Sequence, residues 1–411
     1  MSPKTHTRTP AAESSRAIDP ACWRERRVLV TGHTGFKGAW LCLWLQSLGA
    51  RVHGIALAHP PSEPSLYELA RVGEGMADSA ACDVRDAPAL ARAVARARPE
   101  VVFHLAAQPL VRRSLREPAL TYAVNALGTA NLLDAALACP HTRAVVVVTS
   151  DKCYAPSPGG DPHREDDPLG GHDPYSSSKA CAELIAAAYR ESFFAGAARP
   201  RSEARLASAR AGNVFGGGDF GAERLLPDLF AALAAGTLKG APDDGGQASE
   251  PLRVRNPDAV RPWQHVLCPL SGYLLLAQAL LAGEDGAARA WNFGPSAEDA
   301  VSVRELVERV GALWPGGVAW ERDGAEHPPE NPALRLDSAM ARARLGWGPC
   351  VGLERGLELT VEWYRAWLGG EELRQLTLGQ VEAPSQALGS PGVFQGPRSA
   401  SGTAATPSGL R

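Results

Sequence analysis

The chain has 411 residues, 45% hydrophobic and 21% charged, with a formal net charge of −3. Such a composition suits a globular protein with a sizeable core, either one large domain with a lobe or two domains. Interspersed charges argue against a general nucleic-acid or membrane-surface binder, the lack of an 18-residue apolar run argues against a transmembrane helix, and eight scattered cysteines with no C-x-x-C pair or metal-ligand spacing point to reduced thiols without a metal site.

Residues 1–22 are polar, lack a signal-peptide core, and are expected to be a disordered leader on a cytoplasmic protein. Val28-Leu29-Val30 reads as a buried strand. It runs into Thr31-Gly32-His33-Thr34-Gly35-Phe36-Lys37-Gly38, with glycines at G-x-x-G-x-x-G spacing. Trp40, Leu41, Trp44, Leu45 and Leu48 then recur on one helix face. Strand, glycine turn and helix together suit a dinucleotide. The glycines admit the pyrophosphate, and the helix N-terminus offers it free N–H donors.

Residues 51–57 form a second strand candidate, and three prolines make 59–65 a loop. Asp83 ends a short strand, and Asp86 caps a helix with Pro88 in its first turn. Residues 100–107 are a strand entering a turn of small residues. Residues 117–138 read as one long helix and 144–149 as an almost pure valine strand. A further helix runs from Tyr175 to about 194, and residues 204–211 are the next strand candidate. Continuous apolar strands alternating with helices imply a Rossmann-type, doubly wound parallel α/β sheet. Past Gly216 the pattern loosens; 239–259 reads as loops and short strands, and helices return at 269–283, 302–313 and 353–368. The expected organisation is a dinucleotide-binding domain over 23–212 that also carries the catalytic residues, then a smaller substrate-binding lobe over 213–381 interleaved with the sheet. Residues 382–411 are expected to be a disordered tail.

Two groups carry chemistry. Tyr175 and Lys179 are four apart at the start of a helix, hence on one face, and a cationic neighbour favours the phenolate. Ser150-Asp151-Lys152 ends the valine strand, where open parallel sheets bind their ligands. By contrast, Ile55-Ala-Leu-Ala-His59 lacks the acidic residue that usually holds the ribose of NAD, and no arginine clamp marks NADP. Residue chemistry alone leaves that choice open.

These residues resemble the extended short-chain dehydrogenase/reductase family of nucleotide-sugar epimerases and dehydratases. Within it the chain is most similar to the 4,6-dehydratases that act on CDP-glucose. The matching words are 31–38, His104-Leu-Ala-Ala-Gln-Pro-Leu-Val-Arg112, Thr149-Ser-Asp-Lys-Cys-Tyr154, 164–179, Ala211-Gly-Asn-Val-Phe-Gly-Gly-Gly-Asp219 and Arg261-Pro-Trp-Gln-His-Val266. They span roughly residues 24–382, and 31–38 and 164–179 are the most specific.

The resemblance implies NAD held by Gly32, His33, Thr34, Gly35, Phe36, Lys37, Gly38, Asp83, Val84, Leu105, Ala106, Ala107, Asn125, Thr149, Tyr175 and Lys179. It implies Tyr175 as the base for the sugar 4-hydroxyl, lowered by Lys179 and assisted by Ser150. Asp151 is the acid that releases the 6-hydroxyl. Lys152, where dTDP-glucose relatives carry glutamate, is the base at carbon 5 if desolvation and Lys179 lower its pKa. Gln108, Asn213, Arg224, Arg261 and His265 are the implied substrate contacts, and His33 and Lys37 add positive charge near the pyrophosphate. The implied assembly is a homodimer in which the helices at 117–138 and 175–194 pair across a two-fold axis, with Leu120, Leu127, Leu132, Leu133, Ala182, Leu184, Ile185 and Phe193 as its apolar positions. The alternatives are another nucleotide-sugar dehydratase, a 4-epimerase, or a catalytically silent NAD-binding protein. The Asp151-Lys152 pair argues against epimerisation, which needs no elimination, and the intact Tyr175-Lys179 pair argues against silence.

Overall fold

Valine and leucine at consecutive positions make strands that only a sheet covered on both faces can bury. The computed structural model describes residues 16–157, 160–197, 200–238, 251–324 and 334–389. Its strands are β1 (Arg27–Thr31), β2 (Arg51–Ala56), β3 (Asp78–Ala81), β4 (Val101–His104), β5 (Ala144–Val148), β6 (Arg205–Ala211), β7 (Asn213–Phe215), β8 (Leu252–Val254), β9 (Val260–His265), β10 (Ala290–Phe293), β11 (Ala300–Ser302) and β12 (Trp320–Arg322). Seven of them form one sheet in the order β10-β6-β5-β4-β1-β2-β3, every pair parallel. This is the doubly wound sheet the sequence implies. The order reverses between β1 and β4, so the crevice that opens there lies above Thr31 and His104.

Side chains alternate across the sheet, as the two-residue period of a strand requires. Val28, Val30, Val101, Phe103 and Val146 face a core shared with helices Phe36–Ser47 and Leu267–Ala282. Leu29, Val102, Val145, Val147 and Leu206 face the opposite core, with residues of helices Ala87–Ala97 and Gly128–Ala138. The second half of the chain adds a three-stranded sheet, β11-β9-β7, and a two-stranded one, β12-β8. It also returns β10 to the edge of the main sheet, beside β6. A cut at residue 212 therefore divides the sequence and not the sheet.

Both ends of the chain extend beyond their expected boundaries. Asp19 caps a short helix, Pro20–Trp23. Trp23 is fully buried, and its indole N–H donates to Gln278 at 3.1 Å. The Arg16 N–H reaches the Gly346 carbonyl at 2.8 Å, so residues 16–22 dock on the body. At the other end helix Leu373–Gly389 runs through the expected start of the tail. Leu373, Thr377 and Val381 are buried one turn apart, and Thr377 accepts the Trp363 indole N–H at 3.0 Å. Residues 1–15 and 390–411, most of 239–259, and the proline-rich segment 326–332 lie outside the described residues.

The long helix expected over 117–138 is interrupted. Helix Pro118–Tyr122 passes into a π-helical turn, Ala123–Leu127, before Gly128–Ala138. Such turns cluster at functional sites because they re-aim side chains, here Asn125. Among the described residues no helix is long and apolar enough to cross a membrane, and no three His, Cys, Asp or Glu side chains are grouped to hold a metal.

Candidate active site

The glycine motif is explained by sterics at two positions. Gly32 has φ +72°, and a Cβ there would lie 2.8 Å from the Ala106 nitrogen, in the turn after β4. A Cβ on Gly38 would lie 2.2 Å from the Gly32 carbonyl oxygen. Gly35 caps helix Phe36–Ser47 with no side chain on its N–H groups, which leaves them for an anion. Thr34 and Phe36 flank that N-terminus, and Thr31 Oγ1 accepts the Ala106 N–H at 3.2 Å, tying the loop to the Leu105-Ala106-Ala107 turn. This cradle, which any Cβ would fill, fits a dinucleotide pyrophosphate.

Its two cations differ from expectation. His33 is buried against Gly54 of β2, with Nε2 2.8 Å from Ser79 Oγ, and burial lowers its pKa. It packs the end of β2 as a neutral ring and brings no charge to the pyrophosphate. Lys37 does carry charge, but toward the catalytic turn. It lies in the field of Lys179, Asp151, Arg224 and Asp219, and its pKa falls to about 8, first from burial and then from repulsion by Lys179. Asp83 is held by Arg85 at 2.6 Å, which keeps its carboxyl below the usual range. Val84 is buried against Gly128.

The catalytic groups meet at the ends of β5 and β6. Asp173 caps helix Pro174–Ser192, its side chain accepting the Ser176 N–H at 2.9 Å, and Pro174 fixes the first turn. Tyr175 and Lys179 consequently face the β5 terminus, where Lys179 Nζ donates to the Val148 carbonyl at 3.4 Å. Ser150 Oγ donates to Asp151 Oδ1 at 2.8 Å and accepts the Lys152 N–H at 3.2 Å. Tyr175, Ser150 and Asp151 are all buried, and Lys152 is half-buried. Gly212 makes room for Asp151: a Cβ there would come within 2.9 Å of Oδ2.

Burial, not Lys179, dominates Tyr175. It pushes the phenol well above its usual range, and neighbouring Ser150 works in the opposite direction. Lys179 itself is lowered to about 8 by burial, against the pull of Glu183.

Beneath this turn lies a buried network that sequence reasoning missed. Glu183, one turn beyond Lys179, pairs with Arg210 of β6 at 2.8 Å and accepts from Ser208 at 2.6 Å and from Thr149. Arg210 also donates to Tyr154 at 2.6 Å and to the Glu165 carbonyl at 2.8 Å. Thr149 thus braces the strand end. The available signal was the four-residue step from Lys179 to Glu183, one helical face carrying opposite charges.

Three other residues have different work from that expected. The Asn125 amide donates to the Gln108 carbonyl and to Ser178 Oγ, joining the β4 turn, the π turn and the Tyr175 helix. The Gln108 amide is spent on Leu110 and Thr121 and does not reach for a sugar. His265 is fully buried between Trp40 and Phe215, its pKa lowered to about 3 by burial, and is a core residue of β9 instead of a nucleotide contact. Asn213 and Arg261 sit on the paired strands β7 and β9. Arg224 binds the buried Asp219 at 2.6 Å through Nη2, while its Nε is buried without a partner.

Residues 28–294 match the NAD dependent epimerase/dehydratase family. The CDP-glucose 4,6-dehydratase of Salmonella typhimurium is 45% identical over 356 residues, 87% of this chain and 95% of that protein. The dTDP-glucose 4,6-dehydratase of Streptomyces griseus is 32% identical over 69% of this chain and 77% of its own length. Among solved structures, MoeE5 in complex with UDP-glucuronic acid and NAD superposes with a TM-score of 0.65 at 25% identity, covering 83% of this chain and 99% of that one. The chain belongs to the NAD-dependent epimerase/dehydratase family, the extended short-chain dehydrogenases/reductases.

Proposed function

We propose that this chain is an NAD-dependent CDP-glucose 4,6-dehydratase, converting CDP-glucose to CDP-4-keto-6-deoxyglucose and water. The observation that carries this reading is the meeting of two chemistries at one strand end. The Tyr175-Lys179 pair suits oxidation, and the Asp151-Lys152 pair, contiguous with Ser150, suits elimination. Identity of 45% to a relative with that activity supports it.

Bound NAD supplies the oxidation at carbon 4 and its reversal at carbon 6, ending as it began. Tyr175 takes the proton of the 4-hydroxyl while Ser150 holds that hydroxyl. A ketone at carbon 4 acidifies the proton on carbon 5. Lys152, acting as the free amine, removes that proton and becomes the ammonium as Asp151 protonates the 6-hydroxyl, which leaves as water, and Lys152 then returns the proton to carbon 5. Asn213, Arg261 and the spare donors of Arg224 suit the substrate diphosphate. A panel of CDP-, dTDP-, UDP- and GDP-glucose tests the reading. The CDP sugar should yield a product that absorbs in the near ultraviolet at alkaline pH, as 4-keto-6-deoxy sugars do. An epimer or a bound but unchanged sugar gives no such signal.

The assembly proposed is an isologous dimer. Leu115, Tyr122, Leu127 and Leu184 stay exposed on neighbouring helices. Leu132, Leu133 and Ala182, also expected there, are in the core. Light scattering that finds only monomer at micromolar concentration contradicts the dimer.

A further inference from the structure

Two of the eight free thiols meet. Cys268 and Cys350 are 82 residues apart, yet their sulfurs lie 3.9 Å from one another. Cys268 is the second residue of helix Leu267–Ala282 and is fully buried. Its Sγ donates to the Val351 carbonyl at 3.2 Å, so it touches two consecutive residues of the facing loop. The Cys268 carbonyl and Ser271 Oγ both accept the Trp347 indole N–H at 3.0 Å, which pins the backbone around the thiol.

Cys350 is placed differently. It is half-buried, in the loop 346–352 that leads into helix Leu353–Leu368. Gly348 and Gly352 flank it, and beyond their chain neighbours nothing lies within 4 Å of where either would carry a Cβ. The loop therefore has room to shift. One sulfur is reachable from solvent and able to move, and the other is enclosed and fixed behind it. The Cys350 thiol donates to Cys268 Sγ. That bond draws the Cys268 thiol below its usual range, as a helix N-terminus also does, and holds the Cys350 thiol above its own.

We propose that Cys268 and Cys350 are a modification site, a dithiol that a small disulfide of the glutathione type oxidises to a reversible bond between the starts of helices Leu267–Ala282 and Leu353–Leu368. The Cys350 thiolate attacks one sulfur of the reagent, and the other half leaves as a thiol with the Cys350 proton. The Cys268 thiolate then attacks the Cys350 sulfur, and the second half leaves as a thiol with the Cys268 proton. Two S–H bonds of the protein become one S–S bond. The protein gives up two electrons and two protons, and the reagent takes both. The first exchange is slow because Cys350 ionises reluctantly, and the second is fast because the Cys268 sulfur already stands beside its target. Excess reduced reagent runs the sequence backward, so a reducing compartment keeps the pair open. The bond would tie the strand end that carries His265 to the helix that holds the Asp219 loop. Gly356 of that helix packs on His265, and its Tyr364 hydroxyl donates to the Asp219 carbonyl.

The test uses the full-length protein, reduced, desalted and incubated with excess oxidised glutathione, with every remaining thiol then alkylated in denaturant. The wild type should lose two alkylatable thiols and yield, without reduction, one peptide joining Cys268 to Cys350. Dithiothreitol should restore both. The oxidised form should melt roughly 2–5 °C higher, because a cross-link that closes a long loop restrains the unfolded chain. Cys268→Ser should stop at the first step, with one glutathione held on Cys350. Cys350→Ser should leave Cys268 unmodified, since its sulfur is enclosed; this variant alters only a half-buried loop residue, so it reports even where Cys268→Ser fails to fold. A wild type that keeps all eight thiols alkylatable, holds glutathione on Cys350 without closing the bond, or joins a different pair overturns the proposal. No readout here uses turnover, so the dehydratase reading stands or falls separately.

Discussion

The cofactor side and the substrate side of this site are built differently. On the cofactor side function is written in backbone. Gly32 and Gly38 are needed because another backbone atom occupies the place of their Cβ: Ala106, after the neighbouring strand β4, for Gly32, and Gly32 itself for Gly38. Among the residues expected on the substrate side, the work of several is set by side-chain partners that no motif names. Arg224 answers to Asp219, Gln108 to Thr121, and His265 to Trp40 and Phe215. Backbone sterics leave a mark on local sequence, and tertiary pairing does not. Between the two stands the Ser150-Asp151-Lys152 turn, reactive in itself but held from below by Glu183 and Arg210.

Substitutions should sharpen this contrast, the largest effects falling at the junction. Tyr175→Phe removes the proposed base and should cut turnover by about 10⁴-fold, with no reduced-nicotinamide absorbance on mixing with CDP-glucose. Calorimetric affinity for the sugar nucleotide should be nearly unchanged. Lys152→Ala should cost about 10²- to 10⁴-fold in product formation yet spare the first oxidation. Stopped-flow absorbance should then show reduced cofactor on mixing, without deuterium entering at carbon 5. Normal deuterium exchange in that variant would remove Lys152 from the role of base.

The brace below should act through stability. Glu183→Ala strands the buried Arg210 and should cost about 3–5 kcal/mol, read from denaturant unfolding. The substrate side should respond more mildly. Arg261→Met should raise KM by roughly 10- to 10²-fold, since losing a hydrogen bond to a charged group costs about 1.5–3 kcal/mol, and should leave the unfolding midpoint in place. Equal losses of stability in the Glu183 and Arg261 variants would dissolve the distinction between brace and binding surface. Smallest of all, removal of residues 390–411 should change neither activity nor Tm, since that segment is rich in Ser, Gly, Pro and Ala and has little apolar surface to bury.

Much of this was legible in the sequence. Unbroken valine runs announced a doubly covered parallel sheet, and β1, β4 and β5 fall where those runs lie. The Tyr175 helix was expected from Tyr175 and starts one residue earlier, at Pro174, because a proline preceded by a capping aspartate fits a helix's first turn. The chain ends were read less well. Arg16 and Asp19, expected in the leader, are held by Gly346 and Gln278, partners far from them in sequence. His33 and His265 were legible as histidines but not as buried neutral rings, since their burial follows from Gly54 and Gly216 standing opposite them. The Glu183–Arg210 pair spans a helix and a strand 27 residues apart and carries no motif.

The central claim is that oxidation and elimination occur at one site on CDP-glucose. Incubation of the NAD-loaded enzyme with CDP-glucose in deuterium oxide, followed by mass spectrometry and NMR of the product, tests it most directly. The account predicts a CDP sugar lighter by one water, with a carbonyl at carbon 4, one solvent deuterium at carbon 5, and the original carbon-4 hydrogen now on carbon 6. A product of unchanged mass inverted at carbon 4, or recovered CDP-glucose without deuterium, would contradict it.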